Sequence, residues 1–373
     1  VDPLSGVRKK VCVMTSVHRR DDTRILSREA RSLAKVYDVT LLVADGLPSE
    51  TVDGVFIRSV VDRKPRSRPE RMIQTAEAMF REALREDAAA YHFHDPELLR
   101  IGVKLKRRGK TVIYDVHESI SDTITDRDYL PMPLLRVLAR AAGREDRRGA
   151  KKMDAIVTVT PFLASRYSGY GCRTVMVCNF PSLEDFPPPE GGARERSMCC
   201  SGARVDYSRG IVEMIECAQR TDLPLHIFGV MHEAMYRELD VRDKKHLARV
   251  HGFVSPEEVR RQMYSSLIGM VVEHATGNAV NAYCVKLFEY MAAGMAVVSS
   301  DIPLWRETVE ETGCGLCVDP KDIDAVSDAV RFLADHPEKA REMGENGRRW
   351  AEKKYNWTRE EAKLLSLYRE LIK

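Results

Sequence analysis

Residues 286 to 303 read KLFEYMAAGMAVVSSDIP, which puts Lys286 and Glu289 at the start of an otherwise apolar helix. A lysine in the first helical turn opposes the positive end of the helix dipole, and a bound anion removes that conflict. The unpaired amides of such a turn, together with the lysine, suit a diphosphate. Glu289, one turn further on, is spaced to accept both ribose hydroxyls of a nucleotide, as acidic side chains do in other Rossmann domains. The same spacing also admits a plain i,i+3 ion pair on a helix surface.

A second cluster lies in YHFHDPELL, where His92 and His94 alternate with Phe93 and therefore share one face of a strand. Alternating histidines raise the question of a metal, but no third ligand has a fitting spacing nearby, and the expectation is no metal. His117, in YDVHE, ends the next strand-like run at the same sheet edge. Both His94 and His117 also fit a structural role at a strand end.

Strand-helix-strand alternation positions these groups. KVCVMTSV, a helical DTRILSREARSLAKV and DVTLLVAD open the chain, and AYHFHD, PELLRIGVKLKRRG, TVIYDVHE and AIVTVT continue it. Parallel strands joined by crossover helices are the simplest arrangement. Pro187 to Pro189 and Gly191-Gly192 then break the pattern, so residues 187–196 read as a linker between an N-terminal domain, 1–186, and a second Rossmann-like domain, 197–355. The closing stretches read as helices, with 356–373 returning to the first domain. The expected fold class is α/β, two Rossmann-like domains facing across a cleft, with ligands at the carboxyl ends of the strands.

Composition agrees with an ordinary globular chain: 373 residues, 44% hydrophobic, 31% charged. A net charge of only +3 excludes a dedicated nucleic-acid binder. Nine cysteines without repeated spacing do not make a disulfide framework and point to a reducing cytoplasm. No stretch approaches a membrane span, and VDPLSGVRKK lacks the apolar core of a signal peptide. PLLRVLARAAGREDRRGAKK does read as an amphipathic basic helix, with Leu134, Leu135, Leu138 and Ala142 on one side. Such a helix either lies on anionic lipid or packs on a core with a solvated basic face.

NAYCVKLFEYMAAGMAVVSSDIPLWRETVE resembles the donor-binding segment of the retaining glycosyltransferases of family 4, which have the GT-B fold. DDTRILSREARSLAKVYDVTLLVAD, YDVHES, CNFPSLEDF, LHIFGV, VHGFVSPEEV and YNWTREEAKLLSLYREL extend the resemblance over nearly the whole chain in the right order. Many members carry two glutamates separated by seven positions, and Asn281 stands where the first would be, which weakens any inference about the sugar. The resemblance implies that Gly277 and Asn278 bring backbone to the sugar phosphate and that Phe253 and Val254 lie beside the base. It also implies a Gly-Arg followed by a second cation before Gly. Here Gly202 is followed by Ala203, Arg204 is one place late, and Arg209 before Gly210 fits the second position.

For the first domain the resemblance implies that His94 holds the donor sugar or acceptor and that SVHRRDDTR lies over the cleft, with His18, Asp22, Arg24 and His117 on the acceptor side. The implied reaction moves a hexosyl unit from a nucleotide diphosphate sugar to an acceptor hydroxyl with retention, using no cofactor or metal. Arg209, Lys286 and the helix N-terminus would stabilise the leaving group. Glycan or lipid-linked acceptors, an anionic membrane surface and a cytoplasmic place on the inner face of the plasma membrane follow as expectations. A sugar-nucleotide epimerase of the same fold and a non-catalytic nucleotide-binding module are the alternatives.

Overall fold

From Val11 to Met14 every residue is buried, as a strand covered by helices on both faces requires. This strand, β1 (Lys10–Met14), lies between β2 (Asp38–Val43) and β5 (Ala90–Phe93), both parallel to it, with Val13 opposite Leu41 and His92. The computed structural model describes residues 8–125, 131–189, 191–275 and 277–372. Its first sheet adds β3 (Glu50–Val52) and β4 (Val55–Ser59) on one side, and β6 (Thr111–Val116), β7 (Ala155–Thr158) and β8 (Thr174–Met176) on the other. The order is β3-β4-β2-β1-β5-β6-β7-β8, and β3 is antiparallel to β4.

The second sheet is made of β9 (Glu195–Val205), β10 (Leu225–Met231), β11 (Ala248–Gly252), β12 (Ser266–Val271), β13 (Ala296–Ser300) and β14 (Gly315–Val318). They run parallel in the order β11-β10-β9-β12-β13-β14. Strand-helix alternation thus produces the two parallel-sheet α/β units it implies. The short β3, β4, β8 and β14 add strands that the apolar runs do not mark.

The chain divides into two compact units, residues 1–179 with 359–373, and residues 180–358. The second unit begins seven residues before Pro187, because the Phe180 ring packs on Phe288 and Tyr355 with centroids 4.6 and 5.2 Å apart. A proline-glycine run marks where regular structure stops, but aromatic packing decides which unit owns the chain. Residues from Arg359 onward, in the helix Trp357–Leu371, belong with the first unit. There Tyr368 Oη lies 2.8 Å from His92 Nδ1, and Glu360 accepts from the Cys178 amide at 2.9 Å.

Each sheet has one point where crossovers leave in opposite directions. In the first, the connection after β1 leads to β2 while that after β5 leads to β6, so the switch lies between β1 and β5. In the second it lies between β9 and β12, whose crossovers lead to β10 and β13. Ligands of open α/β sheets bind at such points, outside the carboxyl ends of the strands.

Candidate functional site

At the switch point of the second sheet three charged side chains converge. After β9, Asp206 accepts from the Ser208 amide at 3.1 Å and starts the short turn Tyr207–Arg209. Gly210 follows with φ +66°, and a Cβ there would lie 1.7 Å from the Val272 carbonyl oxygen. Only glycine allows this approach, which brings Arg209 against the end of β12. Glu273, just past β12 and 3% exposed, accepts from Arg209 Nη1 at 2.5 Å, and its other oxygen pairs with Lys286 Nζ. Its carbonyl accepts from Ser300 Oγ at 2.6 Å, which fixes the backbone.

One carboxylate therefore serves two cations, and the cluster carries one net positive charge. Burial works against the Lys286 charge, yet it is held well above the usual lysine range by the Cys284 and Cys200 sulfurs and Glu273. Arg209 is likewise raised: burial opposes its charge, and Glu273 outweighs that. Lys286 sits in the first turn of the helix Val285–Ala292, whose N-cap, Cys284, gives no side-chain hydrogen bond to the first-turn amides. Two cations and the positive end of a helix dipole thus lie together, although the Leu287 amide already donates to the Cys284 carbonyl at 3.1 Å, and the arrangement fits a diphosphate.

Lys286 pairs with Glu273, which sequence reasoning missed. Its only signal was an acid directly after a fully apolar strand, the same anomaly that singled out Lys286. Glu289 is partly buried one turn along the same helix, and Asn281 is partly buried at the end of the turn Gly277–Asn281. Gly277 adopts φ +49°, while the Asn278 side chain lies outside the described residues. Arg204 does not join the cluster, since its side chain is exposed and its nearest acid is Asp206 at 3.9 Å. Gly202 has a packing role: a Cβ on Gly229 of β10 would sit 2.2 Å from the Gly202 oxygen, so the two backbones touch. Phe253 is 77% exposed and Val254 partly buried, so Phe253 is no core residue.

The switch point of the first sheet gathers the expected acceptor-side residues. Asp95 Oδ2 takes hydrogen bonds from Thr15 Oγ1 at 2.9 Å and from the Ser16 and Val17 amides at 2.6 and 3.2 Å, which pins the loop after β1. On that loop His18 Nδ1 lies 3.0 Å from Asp22 Oδ2, and Asp22 also caps the following helix by accepting from the Arg24 and Ile25 amides. His117 Nε2 is 3.2 Å from His94 Nδ1, and the His18 ring packs edge-on to His117.

Two expectations change here. Arg24 does not face an acceptor: it is buried and donates to Asp115, to the Val177 carbonyl and to Asn179, because the helical turn after Asp22 rotates it into the unit. His94 is only 2% exposed, since strand alternation points it inward beside His92. The imidazoles that reach solvent are His117 and His18.

Spacing showed no third ligand for the histidine pair, but the fold supplies two. Glu29 and Asp115 join His92 and His94, with four donor atoms within 4.8 Å of one another. Arg24 already lies within this group, 2.8 Å from both carboxylates. Burial raises Glu29 well above the usual carboxyl range. Burial also works against the Asp115 charge, but Arg24 and His117 hold that group well below its usual range. Burial lowers His92 to about 4 and pushes His94 well down. Arg24 supplies positive charge beside the two carboxylates, while Glu29 Oε1 and Oε2, His92 Nε2 and His94 Nε2 are buried with no hydrogen-bond partner among the described residues.

Residues 23–181 match the family described as glycosyl transferase 4-like domain, and residues 187–350 match glycosyl transferases group 1. An MMP α-(1→4)-mannosyltransferase of Mycolicibacterium hassiacum is 26% identical over 50% of this chain and 46% of its own. A GDP-mannose-dependent α-(1-6)-phosphatidylinositol monomannoside mannosyltransferase of Mycolicibacterium smegmatis is 28% identical over 63% of this chain and 65% of its own. The chain thus matches less than two thirds of the length of these relatives. Among solved GT-B structures, sucrose-phosphate synthase from Thermosynechococcus elongatus superposes with a TM-score of 0.78 at 14% identity, covering 98% of this chain and 99% of its own. Anabaena HepE in complex with UDP and glucose gives 0.72 at 11%, covering 97% and 100%.

Proposed function

Because the chain belongs to the group 1 glycosyltransferases of GT-B fold, we propose that it moves a hexosyl unit from a nucleotide diphosphate sugar to an acceptor hydroxyl, with retention of configuration. The observation that carries this reading is the convergence of Arg209 and Lys286 on Glu273 beside the uncapped helix N-terminus, at the switch point of the second sheet. As the glycosidic bond breaks, negative charge grows on the diphosphate, and these fixed donors stabilise it more than they stabilise the intact donor. In the same reading Glu289 takes the ribose and Phe253 lies along the base.

Attack then comes from the side of the departing diphosphate, one of whose oxygens accepts the acceptor's proton. No side-chain base is needed, and no step uses a metal. The mannosyltransferase relatives favour GDP-mannose over the UDP bound by HepE, since their sequences are closer than a fold likeness. A glycan or lipid-linked acceptor in cell-envelope polysaccharide, lipopolysaccharide or glycolipid assembly completes the proposal, with the protein at the inner face of the membrane. Among the described residues no helix is long and apolar enough to cross one.

The test is release of nucleoside diphosphate from GDP-mannose, UDP-glucose and ADP-glucose, with and without extracted envelope lipids, followed by product anomer assignment by NMR. Acceptor-dependent release with an α product from an α donor supports the proposal. Release that ignores every acceptor favours epimerase or hydrolase chemistry instead.

A further inference from the structure

We propose that a pocket on the first unit, between the helices Leu99–Lys106 and Met132–Ala150, takes an acyl chain and the phosphate of one anionic bilayer phospholipid. The inference rests on the membrane-side part of the function proposed above and is independent of the donor chemistry. The pocket encloses about 750 Å³, within the range of small-molecule sites. Leu99 and Val103 form one wall, and Met72 and Ile73 a lip; Ile73 is 70% exposed. Met72 and Ile73 are both exposed and continuous with the apolar wall, and a contiguous apolar surface of this kind marks an interaction site.

The rim supplies the charge. Arg100, Arg107, Arg148 and Lys152 all line the pocket, and among the described residues none has a carboxylate partner. The other lining lysine, Lys104, is held by Glu77 at 2.6 Å, and lining Glu97 is held by Arg71 at 2.8 Å. Asp146 accepts from the Tyr114 and Tyr167 hydroxyls at 3.3 and 2.6 Å. Four uncommitted cations therefore face a single uncommitted acid, Glu145. An apolar cavity with a cationic mouth is complementary to an anionic amphiphile and to neither a neutral lipid nor a sugar.

The second observation is the line of the longer helix. Positions 134, 138, 141, 145 and 148 recur every three or four residues and share one face, and Lys152 follows in the turn just past the helix end. Its first half carries Leu134 and Leu138, with Val137 beside them, all exposed, and its second half carries the pocket residues Glu145 and Arg148, with Lys152 in the turn that follows. The expected apolar side is thus corrected in detail: Leu135 packs inward while Leu134, Val137 and Leu138 face out. One surface runs from an apolar stripe into a cationic pocket, the order that a bilayer interior and headgroup layer would meet.

Co-sedimentation of the full chain with phosphatidylcholine vesicles, with and without phosphatidylglycerol, tests the proposal. The wild type should bind the anionic vesicles and not the neutral ones. Arg148→Glu with Lys152→Glu should lose at least about tenfold in affinity, whereas Arg237→Glu, an exposed cation of the second unit, should not. Val103→Trp fills the pocket without changing charge, and its residual binding should vanish at high salt while wild-type binding persists. Vesicle binding unaffected by both pocket variants overturns the proposal, as does equal displacement by inorganic phosphate, which would make the ligand a soluble anion. GDP binding by the same preparations separates the two readings. Pocket-dependent vesicle binding without any nucleoside diphosphate binding keeps this inference and sinks the transferase.

Discussion

Replacing Glu273 by Gln gives opposite effects on stability and on ligand affinity, and the structure sets both magnitudes. Gln keeps the size of the side chain but removes the charge shared by Lys286 and Arg209. Lys286 is nearly enclosed, so losing its partner costs about 3–5 kcal/mol. Arg209 is 45% exposed at its side chain and adds only about 0–1 kcal/mol. At about 2–4 °C per kcal/mol for a unit of this size, a total of about 3–6 kcal/mol should lower the melting temperature by about 6–24 °C. A nucleoside diphosphate then supplies the missing negative charge. The best-binding diphosphate should bind the variant at least about tenfold tighter than wild type, which is about 1.4 kcal/mol of the lost stability recovered. Differential scanning fluorimetry with titrated GDP and UDP reads both quantities. A cooperative melt with weakened or unchanged diphosphate affinity would refute the idea that Glu273 holds the place of a phosphate.

The remaining expectations concern the first unit and the base. His92 is held near 4 against an ordinary value of about 6.5, so its neutral form contributes stability that is present above pH 6.5 and lost as pH falls to 4. The loss is about 3 kcal/mol, with His94 acting in the same direction; Glu29, raised by burial, acts oppositely as pH rises above the usual carboxyl range. Urea unfolding across pH 7 to 4.5 should show falling stability with a shallower slope in His92→Gln, and a flat wild-type profile would contradict the cluster's assignment. Tyr368→Phe leaves His92 Nδ1 unpaired in a sealed site and should cost about 1–3 kcal/mol in the same assay; a change below about 0.5 would mean the contact is not made in solution. Phe253→Ala should leave stability within about 0.5 kcal/mol while weakening nucleotide binding, and unchanged binding would remove Phe253 from the site.

Much of the architecture was legible because buried parallel strands leave apolar runs that only crossovers can connect. His92 and His94 were placed on one face by strand period alone, and that is where they lie. Lys286 was legible as an anomaly, a cation where the dipole disfavours it. Glu273 was not, because a lone acid after a strand does not announce its partners. Arg24 was misread because its neighbours His18 and Asp22 sit on a loop, while one helical turn suffices to rotate a side chain inward. In PLLRVLAR apolar residues fall on two adjacent helix faces, and only packing decides that Leu135 goes in and Leu134 stays out.

Calorimetric titration of GDP, UDP and ADP into wild type and into Lys286→Ala with Arg209→Ala tests the central claim most directly. Each cation is expected to make a charge-assisted bond of about 1.5–3 kcal/mol to the diphosphate. One of the three nucleotides should bind the wild type, and the double variant should bind it at least about a hundredfold more weakly with its fold intact. Equal affinity in the two proteins, or no binding of any diphosphate to the wild type, would contradict the placement of the donor site on these residues.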